Sequence, residues 1–175
     1  MRRIGWRGRP VLLAAALFAL SGCFAPNGDR ASHVKGVSAR PIRNDEGARE
    51  AFLLVNEERR LRGLAGFVRR TDLDAAAARH ARDQLRLGRL SHIGSDGGRL
   101  ENRLANLDWV WAGENLARNK GFDSPPREAV RGWIASPKHY ENMFRPDFTH
   151  TGMASIWDPA SGFTYFVQIF IIPTA

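Results

Sequence analysis

The chain has 175 residues, 43% of them hydrophobic, which is sufficient for one compact domain with its own core. Its single cysteine, Cys23, excludes an intrachain disulfide, so an exported domain must be stabilised by that core. The formal net charge is +8, but four of the positive charges are arginines among the first nine residues. Without them the charge of +4 is modest, and no nucleic-acid partner is predicted.

Residues 1–22 have the layout of a secretion signal, in which those arginines precede an uncharged apolar run from Val11 to Leu20. The run is about half of the roughly 20 residues that a helix needs to cross a bilayer. We therefore expect the segment to be removed rather than kept as a transmembrane anchor.

The signal ends in Leu20-Ser21-Gly22-Cys23, which resembles a bacterial lipobox. That motif implies cleavage before Cys23 and attachment of lipid to its thiol; the alternative is a free cysteine in an ordinary signal peptide. Two or three acyl chains hold a protein firmly on a membrane. Phe24 stands where an aspartate is associated with retention in the inner membrane of Gram-negative bacteria, so in such a host we expect the outer membrane, with the domain facing the periplasm or the exterior.

Residues 23–43 are rich in Pro, Gly, Ser, Asn and basic residues without periodicity, which predicts a flexible linker. An ordered, monomeric domain is predicted over residues 44–175. Asn44 is a good N-cap, followed by Asp45 and Glu46 where acidic residues favour the start of a helix. We expect this first helix to end near Gly63.

A second helix is predicted from Thr71 to Leu87, with Gly88 as its C-cap. Helical periodicity separates an apolar face from a row of arginines, and it places His80 on the apolar side, where we expect a hydrogen-bonded core histidine rather than a ligand. The arginine row is expected to be solvated; the alternative is contact with anionic lipid headgroups or acidic wall polymers. The row comprises Arg79, Arg82, Arg86 and Arg89.

The C-terminal half predicts one helix beginning at Ser124-Pro125, a short helical turn over residues 138–144, and two strands over residues 149–157 and 163–172 joined by a hairpin loop. The last strand is apolar on both faces, as in a central strand covered from above and below. The fold class is therefore predicted to be α+β, a three-layer α/β/α sandwich with a small, mostly antiparallel central sheet.

Common catalytic signatures, such as a Gly-rich phosphate loop or His-Glu-x-x-His, do not occur in the sequence. Three polar clusters remain that turns and core packing explain poorly. They are Ser91-His92, Gly113-Glu114-Asn115, and the run from Trp133 to His139 followed by Asn142.

With these clusters in order, the sequence resembles the bacterial branch of the CAP superfamily, also called the SCP domain, which includes cysteine-rich secretory, antigen 5 and pathogenesis-related 1 proteins. The resemblance covers roughly residues 47–172. Its other motifs are Asn56-x-x-Arg59 before Gly63-Leu64, Leu73-x-x-x-Ala77-x-x-His80-Ala81, Gly152, and Tyr165-x-x-Gln168-x-Phe170.

The resemblance implies a cleft lined by two His and two Glu, which in some members binds a divalent metal. His92 and Glu114 match the first His and the first Glu of that set. Ser136 stands where the family has its second Glu, and residues 163–165 replace the second His. His139, typical of the bacterial branch, is the candidate to fill this gap. The metal ligands are thus predicted to be His92, Glu114 and His139, with Asn115, Ser136 and Asn142 supporting the cleft.

Two imidazoles and a carboxylate are a sufficient ligand set for zinc, with water in the fourth position. The alternative is a hydrogen-bonded network that only joins the layers of the fold. We expect the cleft to bind a small ligand, a lipid or a cell-wall fragment without an established catalytic activity, as the family implies. The alternatives are a zinc-dependent hydrolase and a structural or stress-related envelope protein.

Overall fold

The computed structural model describes residues 44–174. The predicted signal peptide (1–22), the lipidation site Cys23 and the predicted linker (23–43) lie outside the described residues. The elements in chain order are α1 (Asn44–Leu61), β1 (Val68–Arg69), α2 (Thr71–Leu87), α3 (Leu100–Arg103), β2 (Trp111–Asn119), α4 (Pro125–Ala135), α5 (Pro137–Phe144), β3 (His150–Trp157) and β4 (Thr164–Ile172).

The strands form a four-stranded sheet in the order β1-β3-β4-β2. The short β1 pairs with β3 in parallel, and the pairs β3–β4 and β4–β2 are antiparallel. β4 is therefore central, as its two apolar faces predict, and eight of its nine residues are buried.

Helices cover both faces of the sheet, and each face has its own apolar core. Phe166 and Phe170 of β4 pack with residues of α1, α4 and α5. Val167 and Ile169, on the opposite face, pack with residues of α2 and with Leu104, which follows α3. The predicted three-layer α/β/α sandwich of class α+β is confirmed.

Local signals place several helix ends correctly. The Ser124 hydroxyl accepts a hydrogen bond from the Arg127 amide at 3.3 Å, and Pro125 and Pro126 open α4. Gly88 ends α2 in the left-handed conformation, with φ of 62°, and its amide donates to the Leu85 carbonyl. The expected short turn over residues 138–144 is a full helix of eight residues, since Pro137 starts it directly after α4.

Arg59 joins α1 to the segment between α5 and β3. Its side chain is buried and donates to the carbonyl oxygens of Ala65 and Met143 at 2.7 Å each, and to that of Arg145 at 3.2 Å. The guanidinium also lies 3.8 Å from the ring centroid of Phe67. The Asn56-x-x-Arg59 motif thus fixes the α1 layer against the chain that leads into the sheet.

Within residues 44–174, none of the helices combines the length and the hydropathy that spanning a bilayer requires.

Candidate functional site

Glu114 is held on the edge strand β2 and faces the α2 side of the sheet. Its backbone pairs with that of Ile169 in β4, and residues opposite one another in an antiparallel pair share a face. Ile169 belongs to the core on the α2 side. The Glu114 side chain is only 3% exposed, so its carboxylate needs partners within the protein.

Those partners are a guanidinium and an imidazole. Arg103, at the end of α3, donates to Oε2 of Glu114 at 2.7 Å, and Nδ1 of His92 donates to Oε1 at 2.8 Å. Arg103 is itself nearly buried, with 9% of its side chain exposed, and also donates to the carbonyl oxygens of Gly98 and His92. His92 is 62% exposed, so it connects the buried pair to the surface.

His80 is the buried neighbour of this group. Its Nε2 lies 2.9 Å from the carbonyl oxygen of Ser91, to which it donates a hydrogen bond when it carries the proton. The same nitrogen lies 3.6 Å from Oε1 of Glu114. Gln84, one turn later in α2, exchanges two hydrogen bonds with the backbone of Ser91. We call His80, His92, Arg103 and Glu114 the Glu114 cluster.

His80 is completely buried, as expected for a core histidine. Its position beside Glu114 was not predicted. Burial lowers the pKa of His80, against the smaller opposing effect of the Glu114 charge. The other ring nitrogen, Nδ1, is buried without a hydrogen-bond partner among residues 44–174. The native state therefore favours the neutral ring.

This burial predicts an acid-sensitive domain. Because the folded pKa of His80 lies below the ordinary value of about 6.5, the unfolded chain binds more protons as the pH falls below that value. The contribution of His80 to the free energy of unfolding should be fully present above about pH 6.5, and the free energy of unfolding should decrease as the pH is lowered below that value. We expect His80→Gln to flatten this decrease in urea unfolding between about pH 7 and pH 5, a window chosen around the histidine pKa.

His139 contributes with the same sign, because burial and the positive charge of His92 lower its pKa, so the slope should be reduced rather than abolished. His150→Gln, at a half-buried histidine outside the Glu114 cluster, is the matched control. Equal slopes for the wild-type chain and His80→Gln would contradict the assignment.

The predicted supporting residues connect β2 to α5. Nδ2 of Asn115 donates to the backbone carbonyl of His139 at 3.0 Å, and Nδ2 of Asn142 donates to Oδ1 of Asn115 at 2.9 Å. Ser136 ends α4 and precedes α5, where its carbonyl accepts from the Tyr140 amide. These contacts fix the start of α5 beside the strand that carries Glu114.

His139 is half-buried on α5, close enough for the charge of His92 to act on its pKa. Its ring makes no hydrogen bond or ion pair with Glu114 in the part of the chain that the structure describes. The structure thus brings His92 and Glu114 into direct contact and leaves His139 at the margin of the cluster.

The side chains as placed do not fit a divalent metal. Both oxygens of Glu114 already accept hydrogen bonds, one of them from a guanidinium that supplies the positive charge a metal would bring. Among the described side chains, no three of His, Cys, Asp or Glu type are grouped as a metal site requires.

A small cavity opens at the exposed end of the cluster, and we call it the Glu114 cleft. Its volume is about 220 Å³, below the roughly 300–1,000 Å³ of sites for drug-sized ligands. It therefore suits a small molecule or one end of a longer one. The lining residues are His92, Arg99, Leu100, Glu101 and Glu114.

Together these features define a class of protein: a three-layer α/β/α domain whose edge strand presents a buried glutamate to a cleft bordered by histidine and arginine. Comparison with known proteins gives the family. The profile of the cysteine-rich secretory protein (CAP) family matches residues 52–170, and the chain belongs to that family.

Three known proteins are similar to this chain. "Uncharacterized protein YkwD" of Bacillus subtilis is 36% identical over 56 residues, which are 29% of this chain and 21% of that protein. An extracellular SCP-domain protein of Bacillus anthracis is 25% identical with a TM-score of 0.65, covering 73% of this chain and 41% of the other. An outer surface protein of Borrelia burgdorferi is 19% identical with a TM-score of 0.67, covering 76% and 97%.

The chain spans less than half of the length of the two Bacillus relatives. The names of the Bacillus anthracis and Borrelia proteins place those proteins outside the cell or on its surface. A more distant solved structure is that of NaASP2 with Zn²⁺, which is 13% identical with a TM-score of 0.50 and covers 75% of this chain and 83% of the other.

Two members of the Glu114 cluster were not predicted as site residues. For His80 a signal existed, since a histidine on the apolar face of a helix needs a polar partner inside the protein. Arg103 gave no such signal, because a single arginine among the mixed polar and apolar residues around it does not indicate a buried partner.

Proposed function

We propose that this chain is an exported, lipid-anchored envelope protein whose Glu114 cleft binds a small polar ligand, or the polar end of a lipid or cell-wall fragment. One observation carries the proposal: a buried carboxylate fixed by Arg103 lies directly beneath the exposed His92. This arrangement offers a preorganised polar floor and an accessible imidazole at the mouth of the cleft.

Binding is favoured over hydrolysis by the state of Glu114. A general base must have an oxygen available to take a proton from water. Here both carboxylate oxygens already accept a hydrogen bond, from Arg103 and from His92, and the side chain is only 3% exposed to water. The zinc-dependent hydrolase considered from the sequence therefore has no specific observation in its favour.

A divalent metal at His92, Glu114 and His139 stays a prediction. NaASP2, determined with Zn²⁺, is the only support that the relatives described above offer, and the contacts of Glu114 with Arg103 and His92 oppose it. Elemental analysis of the purified protein after zinc loading tests it directly, with one zinc per chain as the result that would favour the metal.

The cleft proposal is tested by equilibrium binding of lipid extracts and enzymatically solubilised wall fragments from the producing cell. We expect His92→Ala to weaken binding about tenfold, the loss of one charge-assisted hydrogen bond of about 1.5 kcal/mol. His150→Ala, which alters a half-buried histidine that contacts Thr149, should bind as the wild-type chain does. Equal affinities for both variants would contradict the proposal.

The lipid anchor is supported by the Leu20-Ser21-Gly22-Cys23 motif and by the family's extracellular and surface members. We expect cells that produce the wild-type chain in radiolabelled palmitate to incorporate label into it and to retain it in the membrane fraction. Cys23→Ala should incorporate none. Labelling of the variant at the wild-type level would exclude Cys23 as the lipidated residue.

A further inference from the structure

A second concave surface lies beside α2, between that helix and residues 96–106. It has a volume of about 800 Å³, which is large enough for a whole ligand. Apolar Leu85 and Ile156 also contribute to its wall. We call it the arginine groove after its cationic residues, and its polar lining includes Arg79, Arg82, Arg86, Asn102, Arg103 and Asn106.

The charges in the groove are not balanced by the other residues that the structure describes. Its lining has four arginines and two aspartates, Asp83 and Asp96. Asp83 is already taken by Arg86 and by the Ser95 hydroxyl, and Asp96 accepts from the Gly98 amide. Arg103 is paired with Glu114, which lies outside the groove, so the charges without an ionic partner are those of Arg79, Arg82 and Asp96, and the groove carries one positive charge in excess.

Two of the arginines are available to a ligand. Arg79 makes one long hydrogen bond of 3.4 Å, to the carbonyl oxygen of Arg103. Arg82 forms no hydrogen bond or ion pair with any other described residue. Both are exposed, and three residues apart on one helix they lie one turn from each other, about 5–6 Å between Cβ atoms. Two guanidinium groups at this spacing can hold one tetrahedral anion.

The chemical groups that line the groove indicate which kind of anion it binds. Guanidinium groups match the oxygens of a phosphate with paired hydrogen bonds. The side-chain amides of Asn102 and Asn106 can form hydrogen bonds with hydroxyl groups, because each amide both donates and accepts hydrogen bonds. A phosphate attached to a small hydroxylated group would contact both the arginines and the asparagine amides. A solvated row of arginines on a convex helix would not provide such a combined surface.

We infer that the arginine groove is a binding site for a phosphate ester of a polyhydroxylated small group, held by Arg79 and Arg82. It is separate from the Glu114 cleft and does not rest on the function proposed for that cleft. Such a ligand has two sources: a free phosphate ester, or the headgroup of an anionic phospholipid, which is a phosphodiester.

Isothermal titration calorimetry of the full chain in a neutral detergent distinguishes these sources. The probes are inorganic phosphate, glycerol 3-phosphate and glycerophosphoglycerol, the water-soluble headgroup of phosphatidylglycerol. We expect binding of glycerol 3-phosphate, glycerophosphoglycerol or both, at least tenfold tighter than that of inorganic phosphate. Tighter binding of glycerophosphoglycerol assigns the site to a lipid headgroup, and tighter binding of glycerol 3-phosphate to a free ester.

The variant Arg79→Gln/Arg82→Gln should lower the affinity for the preferred probe at least tenfold. Arg49→Gln/Arg60→Gln makes the same change of charge at two exposed arginines of α1 and should leave it unchanged. His92→Ala should also leave it unchanged, which separates this site from the cleft. Absence of binding by any probe, or equal binding by the two double variants, would overturn the inference.

Discussion

Gly152→Ala is expected to destabilise the domain by at least about 3 kcal/mol, because α2 lies directly on the backbone of β3 at this residue. A Cβ atom at Gly152 would lie 2.2 Å from the carbonyl carbon of Leu73 and 2.5 Å from the amide nitrogen of Asp74. Neither contact is with a side chain that could rotate away. The helix would have to move off the sheet.

That movement would also break contacts that depend on the close approach. The Asp74 carboxylate accepts from the Met153 amide at 2.8 Å and from the guanidinium of Arg69. For a chain of this size, about 3 kcal/mol corresponds to a fall in Tm of roughly 6–12 °C. Thermal unfolding followed by circular dichroism measures it.

Gly132→Ala is the matched control, because a Cβ at this exposed helical position of α4 meets nothing within 4 Å. It should leave stability unchanged or raise it by about 0.5–1 kcal/mol through the higher helix propensity of alanine. If Gly152→Ala unfolded at the same temperature as the control, the direct packing of α2 on β3 would be wrong.

Arg103→Met is expected to cost about 3–5 kcal/mol, the usual result of leaving one partner of a buried ion pair without the other. The Glu114 carboxylate is 3% exposed and would lose its only guanidinium in the described part of the chain. The carbonyl oxygens of Gly98 and His92 would lose a donor as well. Urea unfolding of the two proteins measures the difference.

A double-mutant cycle isolates the pair. Glu114→Gln removes the buried charge, so Arg103→Met should cost less in that background, with a coupling energy of about 1–3 kcal/mol. Arg89→Met changes an exposed arginine and should stay within about 0.5 kcal/mol of the wild-type chain. Additive effects of the Arg103 and Glu114 changes would show that the two side chains do not interact as described.

The sequence predicted best those elements whose local signals agree with their tertiary surroundings. The bounds of α2 follow from its apolar face and from Gly88, and both are found in the structure. The central position of β4 follows from its two apolar faces, since only a strand covered by both helical layers can bury them. Ser124 and Pro125 mark the start of α4 for the same local reasons.

β1, α3 and β2 were not predicted. β1 has two residues and α3 has four, too short for periodicity to detect. β2 combines buried polar residues with exposed apolar ones: Glu114, Asn115 and Asn119 are buried, whereas Trp111 is 54% exposed. Those polar residues are buried because residues from other parts of the chain satisfy them, and a single sequence does not reveal such partners.

The site was predicted only in part, because it also depends on contacts between distant parts of the chain. His92 and Glu114 were named from motifs of the family, and they are in contact at 2.8 Å. The contribution of Arg103 depends on how α3 is placed against β2, a long-range feature that no spacing in the sequence encodes. Its presence changes the chemistry expected at Glu114, because the carboxylate already has a cation.

The binding of a ligand in the Glu114 cleft is tested most directly by two-dimensional ¹H–¹⁵N NMR titration of the protein with the envelope fraction that binds it. We predict that the backbone amide signals of His92, Arg99, Leu100 and Glu101 shift on binding, while that of the exposed Gly132 on the opposite layer stays in place. Shifts confined to residues outside the cleft, or no shifts with any fraction, would contradict the account.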